Sequence, residues 1–184
     1  VDKLQRFNPW PIFIYNSRAV RELDGRRSAS LSERLLLYGV PIGSLALFTL
    51  MRWQLGGVTQ LLSAISLLVG AMLSTFVFLA NLRIKIEESD NYRVRPGLKR
   101  LVASSAVGAL HVSLVAMLLS LLLATVTSWP LLTAGGRAAN IASGLCVAML
   151  VHLIVSLAAV LRRLLGIYVD LFLGDFMASP EPDN

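Results

Sequence analysis

At 184 residues the chain is one domain long. It is 55% apolar and only 15% charged, against roughly 45–50% and about 25% for soluble domains, a balance that excludes an ordinary soluble fold and marks a membrane protein. The net charge of +6 does not imply nucleic acid, because the basic residues sit just outside apolar runs, where the positive-inside bias of membrane proteins puts them.

Val1 to Arg34 reads as a polar, basic leader. The first residue is Val, so further residues are expected before it. Phe7 to Tyr15 is aromatic, too short for a secretory signal, and broken by Pro9 and Pro11. It is not expected to make a long helix. Trp10 and Tyr15 suit the headgroup layer, so the segment is expected on the membrane surface or against a partner chain. Ser17 to Arg27 fits a short polar helix. Ser30-Leu-Ser-Glu33 is a capping box that would open the first span.

Four apolar blocks follow, at about 35–51, 58–82, 101–124 and 141–161. A helix needs roughly 20 apolar residues to cross a bilayer, and each block supplies that or close to it. Pro41 lies in the first block, strips a hydrogen bond from the carbonyl of Leu37, and predicts a kink. The second helix is expected to run on toward Glu88. Pro96-Gly97 predicts a break before the third block, and Asn140 an N-cap for the fourth. The tail, 164–184, opens with an amphipathic stretch, Leu164 to Met177. That stretch fits an interfacial helix or an extension of the fourth span. Ser179 onward is expected to be disordered.

The fold class expected is therefore all-α: a polytopic membrane protein with four transmembrane helices arranged as two hairpins. Charge sets its orientation. The leader carries seven Lys/Arg, the loop 83–100 six (Arg83, Lys85, Arg93, Arg95, Lys99, Arg100) and the tail two (Arg162, Arg163), against one each in the two short turns (Arg52, Arg137). Both termini and the 83–100 loop are thus expected in the cytoplasm, in a bacterial inner membrane. The layout of basic lead, helix, short turn, helix and basic exit occurs twice. Leu79-Ala-Asn-Leu-Arg83 faintly echoes Ala158-Ala-Val-Leu-Arg162.

All eleven Asp and Glu lie outside the four blocks. A carboxylate-driven transporter puts such groups within the membrane, so that class is disfavoured. Two histidines do lie within it. His111 is eleven residues from Arg100, and His152 ten from Arg162. Both imidazoles fall roughly 15 Å deep, near the midplane. Three roles stay open for them: an interhelical hydrogen bond, a pore-lining or proton-sensing role, and bis-histidine ligation of haem or a metal. As a pore lining they would join Ser66, Ser74, Ser113 or Ser120.

Small residues mark candidate helix-packing faces: Gly39 and Gly43 on the first span, Ser66, Gly70 and Ser74 on the second, Ser104 and Gly108 on the third, and Gly144, Ala148 and Ser156 on the fourth. Such faces pack within one chain or between copies. Cys146, the single cysteine, reads as a small hydrophobe. In layout and size the chain is similar to four-span membrane subunits of bacterial defence systems, such as the Kiwa membrane protein. No motif carries that likeness to individual residues.

The leading expectation is a non-enzymatic membrane subunit that self-associates and docks a cytosolic protein through its leader, 83–100 loop and tail. It assigns no catalytic residue, metal or cofactor, and its partners are the bilayer, further copies and that cytosolic protein. The alternatives are an oligomeric channel or membrane-disrupting effector, and a bis-histidine haem electron carrier.

Overall fold

The computed structural model of the protein describes residues 9–22, 35–88, 96–129 and 136–177. Every described element is a helix: α1 (Trp10–Glu22), a π-helical turn (Leu35–Gly39) leading into α2 (Val40–Met51), α3 (Val58–Glu88), α4 (Pro96–Ser128) and α5 (Arg137–Met177). Three of them, α3, α4 and α5, are long and apolar enough to cross a membrane. The protein is thus an all-helical, apolar chain with the character of a polytopic membrane protein.

Four full-length spans were expected, and the first is short. The π-helical turn and α2 together cover Leu35–Met51, about 25 Å at 1.5 Å per residue, against a hydrocarbon core of about 30 Å. Pro41 explains the break in helix type. The π-helical turn ends at Gly39 and passes directly into α2, with Pro41 in the first turn of α2 and no N–H there for the Leu37 carbonyl. At the other end Arg52 takes the left-handed conformation, φ 55°, and closes α2 through bonds to the Phe48 carbonyl.

Prolines also move the starts of α1 and α4. Pro11 and Pro96 lie in the first turns of helices, the place proline tolerates. The aromatic segment is therefore the opening of a 13-residue helix, and Pro96 begins a helix instead of breaking one. Gly136, with φ +116°, precedes α5. Asn140 then lies inside the first turn of α5, its N–H on the Gly136 carbonyl, and is not the cap. The expected tail helix is the continuous end of α5, which runs 41 residues. At about 60 Å, α5 outreaches the bilayer. The capping box at 30–33 and the end of the chain after Met177 lie outside the described residues.

Of the two expected hairpins only the second, α4 with α5, is a packed pair. α3 packs on α4, α4 on α5, and α5 on α2, while α1 lies on α4. So α2 and α3, neighbours in sequence, flank the layer from opposite sides. The central helix is α4: half of its most apolar window is buried, against 11% for α3.

A heptad pattern explains that centrality. On α4 the residues Leu98, Val102, Ser105, Ala109, Val112, Ala116, Leu119 and Leu123 are all buried, at alternating steps of four and three. Ile65, Met72, Leu79 and Ile86, seven apart, are the buried residues of α3. This is the seam of an antiparallel coiled coil. Leu79, Ile86, Leu98, Val102 and Ile167 form a separate apolar cluster tying the near ends of α3, α4 and α5 together. A second seam on α4, at Ser104, Gly108 and His111, faces α5.

Candidate functional site: a buried histidine pair

His111 on α4 and His152 on α5 meet across the interface of those helices. Their Nε2 atoms are 3.4 Å apart and their ring centres 5.7 Å. The difference, about 2.3 Å, is what two ring radii laid end to end take up, so the nitrogens point head-on. The ring planes stand at 85°. A separation of 3.4 Å is long for a hydrogen bond, whose usual range is about 2.7–3.2 Å.

The other nitrogen of His152 is held. Its Nδ1 lies 3.3 Å from the carbonyl oxygen of Leu37. That oxygen has no α-helical donor four residues on, because residue 41 is proline. The carbonyl can only accept, so Nδ1 carries the proton and donates, leaving Nε2 a free lone pair aimed at His111. An imidazole fixed by a carbonyl on its far nitrogen is the usual state of a metal-ligating histidine.

His111 is 5% exposed. Its Nδ1 is one of three buried side-chain polar atoms without a hydrogen-bond partner among the described residues, with the hydroxyls of Ser105 and Ser156. Two aromatic rings cover the pair. Phe13 of α1 meets His111 edge-on at 5.1 Å, and Tyr38 stacks on His152 at 6.4 Å. α1 flanks the pair on the α4 side and α2 on the α5 side, and the two do not pack along one another.

One turn nearer the 83–100 loop lies a buried cation. Arg163 was expected, with Arg162, as an exposed topology mark. Arg162 is exposed, but Arg163 is only 9% exposed and donates through Nη1 to the Ser104 carbonyl at 3.1 Å. Gly108 makes room for it. A Cβ at Gly108 would sit 2.9 Å from Val160 and 3.1 Å from Arg163 Nη1, with Asn16 Oδ1 of α1 at 4.0 Å.

The other expected residues divide into buried and open sets. Gly144 seats α2 on α5: a Cβ there would meet Thr49 and Leu45 at 3.0–3.2 Å. Ser104, Gly108, Ala148 and Ser156 are buried in the same layer. Gly43 and Gly70 face open space, and Gly39 touches only Leu35 of its own turn. Ser66 and Ser74 are exposed on α3, Ser66 bonding its own helix, whereas Ser113 is buried and bonds Ala109. These groups do not share one surface with His111. In the 83–100 loop, Arg83 pairs with Glu87 at 3.5 Å, Lys85 and Arg100 are exposed and Lys99 is half-buried. Arg93 and Arg95 lie outside the described residues.

Sequence reasoning placed the two histidines at one depth. It missed Phe13, Asn16, Tyr38 and the burial of Arg163. A usable signal existed for one link: the carbonyl freed by Pro41 had to find a donor.

Chemically, the pair offers two nitrogen ligands and no third. No group of three or more His, Cys, Asp or Glu stands together among the described residues. In comparison with known proteins, no family model matches the chain, and no curated protein and no solved structure is significantly similar to it.

Proposed function

We propose that this protein is an integral membrane haem protein, with His111 and His152 as the two axial ligands and electron transfer as its role. The head-on pair carries the proposal. A bare zinc ion takes three or four protein ligands, and no third stands with the pair among the described residues. A porphyrin brings four nitrogens of its own, so two imidazoles complete the iron. The carbonyl lock on His152 supports ligation, and the aromatic rings of Phe13 and Tyr38 against the pair support an apolar ring. With the two nitrogens at 3.4 Å, α4 and α5 would have to part for a haem to be held between the imidazoles. A haem held by both imidazoles would supply one-electron chemistry.

The test is the absorption spectrum of protein purified from haem-replete cells. A sharp Soret band, lost in His111→Ala and in His152→Ala, is expected. A colourless preparation that also fails to take up added haemin would sink the proposal.

A second reading keeps the self-associating subunit. It rests on the exposure of Ser66, Gly70 and Ser74 along α3, a small-residue stripe without a partner among the described residues. On this reading copies meet along α3. The basic 83–100 loop and both termini face a cytosolic protein, by analogy with defence-system subunits. Crosslinking in native membranes tests it: disulfide-linked dimers through Gly70→Cys are expected, and monomers alone would overturn it.

A further inference from the structure

We infer that the haem-free protein binds one copper(I) ion between the Nε2 atoms of His111 and His152, a two-coordinate site that does not rest on the haem reading. The two nitrogens face each other head-on at 3.4 Å. His152 keeps its proton on Nδ1, against the Leu37 carbonyl, so its Nε2 lone pair points into the gap. His111 has no such lock, and its buried Nδ1 is without a partner among the described residues. A proton on His111 Nε2 makes one long bond to His152 and leaves a bare acceptor at Nδ1. A proton on His111 Nδ1 sets two lone pairs against each other across the gap. A cation in the gap turns that second arrangement from repulsion into ligation by both rings.

Ligand number selects the ion. Zinc takes three or four protein ligands, copper(II) a square or tetragonal set, and calcium and magnesium take oxygen. No third His, Cys, Asp or Glu stands with the pair among the described residues. Copper(I) has a filled d shell, takes two ligands in line, and accepts imidazole. Metal–imidazole bonds of about 2 Å ask nitrogens now 3.4 Å apart to separate by only about half an ångström. Small turns of the two side chains supply that, with no ring to pass between the helices. Phe13 and Tyr38 lie against the two imidazoles, and His111 is 5% exposed. An apolar, water-poor shell of this kind favours the lower oxidation state. Arg163 reaches back to Gly108, three residues from His111, and repels a divalent ion twice as strongly as a monovalent one.

The experiment loads purified, haem-free, full-length protein in mild detergent with copper(I) under anaerobic conditions. A Cys146→Ala background removes the free thiol, a competing soft ligand. One equivalent of copper per chain is expected to survive desalting, and X-ray absorption should show two nitrogen neighbours and no others. His111→Leu and His152→Leu should each lose that equivalent. Unchanged retention in either variant would overturn the inference. So would sulfur or a third neighbour around the copper, a measurement that needs no histidine variant to fold. Protein that takes up haemin but retains no copper would overturn the inference and leave the haem reading intact. Protein that holds copper on two nitrogens but refuses haemin would support it and remove the haem reading. Retention of neither would remove both.

Discussion

The carbonyl oxygen of Leu37 and Nδ1 of His152 lie 3.3 Å apart, and Pro41, four residues beyond Leu37, leaves that oxygen without its α-helical N–H donor. A proline in a membrane helix leaves an acceptor that lipid cannot satisfy. Here a histidine from another helix satisfies it and is fixed in one tautomer by doing so. A backbone irregularity ahead of the short apolar helix α2 thus sets the direction of a lone pair on the 41-residue α5.

Pro41→Ala tests that link. The substituted alanine has an N–H that competes with His152 for the Leu37 carbonyl. Loss of such an outer contact typically costs 10–100-fold in ligand affinity, so haemin binding should weaken by about tenfold or more. The helix itself gains a hydrogen bond, so the unfolding midpoint should not fall. Haemin titration and detergent unfolding on one preparation separate the two effects. A variant with unchanged affinity would mean that the carbonyl does not orient His152.

The two histidines should not be equivalent in the ligand-free protein. His152→Leu removes the partner of the Leu37 carbonyl and of His111 Nε2 at once. His111→Leu removes a nitrogen that already lacks a partner and leaves one lone pair on the half-buried His152. Each unsatisfied buried group costs about 1–3 kcal/mol. His152→Leu is therefore expected to be the more destabilising by about 1–3 kcal/mol. Unfolding in mixed detergents measures the difference, and the reverse order would contradict the tautomer assignment.

Glycines that look alike in the sequence should behave in two ways. At Gly144 an added methyl meets the Leu45 backbone oxygen at 3.2 Å and Thr49 at 3.0 Å, and at Gly108 it meets Val160 at 2.9 Å. Overpacking of this kind costs about 1–3 kcal/mol. At Gly43 and Gly70 nothing lies within 4 Å, and alanine is the better helix former by about 1 kcal/mol. Gly108→Ala and Gly144→Ala should therefore lower the unfolding midpoint, while Gly43→Ala and Gly70→Ala hold or raise it. A loss at Gly70 would show that α3 packs against something outside the chain.

The pattern of legible and hidden features follows from what periodicity can encode. Three of the four expected spans were legible because a membrane demands long apolar runs, and the meeting of His111 with His152 was within reach because their distances to basic residues are alike. The packing order was not legible. A short turn after α2 suggested a hairpin, yet what decides helix neighbours is which faces fit. The heptad seam of α4 includes Ser105, Ala109 and Ala116, which hydropathy alone cannot separate from lipid-facing positions. The charge of Arg163 signals topology, whereas its burial depends on Gly108 across the interface. The helix starts were hidden for a simpler reason: a proline reads as a breaker in the sequence, while the positions of Pro11 and Pro96 in the first turn make them initiators.

The shortness of the first apolar helix raises the question of whether it crosses the membrane, and labelling answers it. α2 runs antiparallel to α5, with Leu37 beside His152 and Leu45 and Thr49 beside Gly144. It thus spans the half of α5 on the Arg137 side and ends in the Arg52–Gly57 turn, where the Leu55 N–H donates to Ser143. Its other end stops near the histidine level, about 12 Å short of Arg162 along α5. On the charge bias, that turn is expected on the outer face and the 83–100 loop inside. With Cys146 replaced by Ala, a cysteine at Gln54 should react with an impermeant maleimide in intact cells. Cysteines at Asp90 and near either end should react only after permeabilisation. A reactive N-terminal cysteine beside a protected C-terminal one would mean that Leu35–Met51 enters the membrane without completing a crossing, and the chain would then cross three times instead of four.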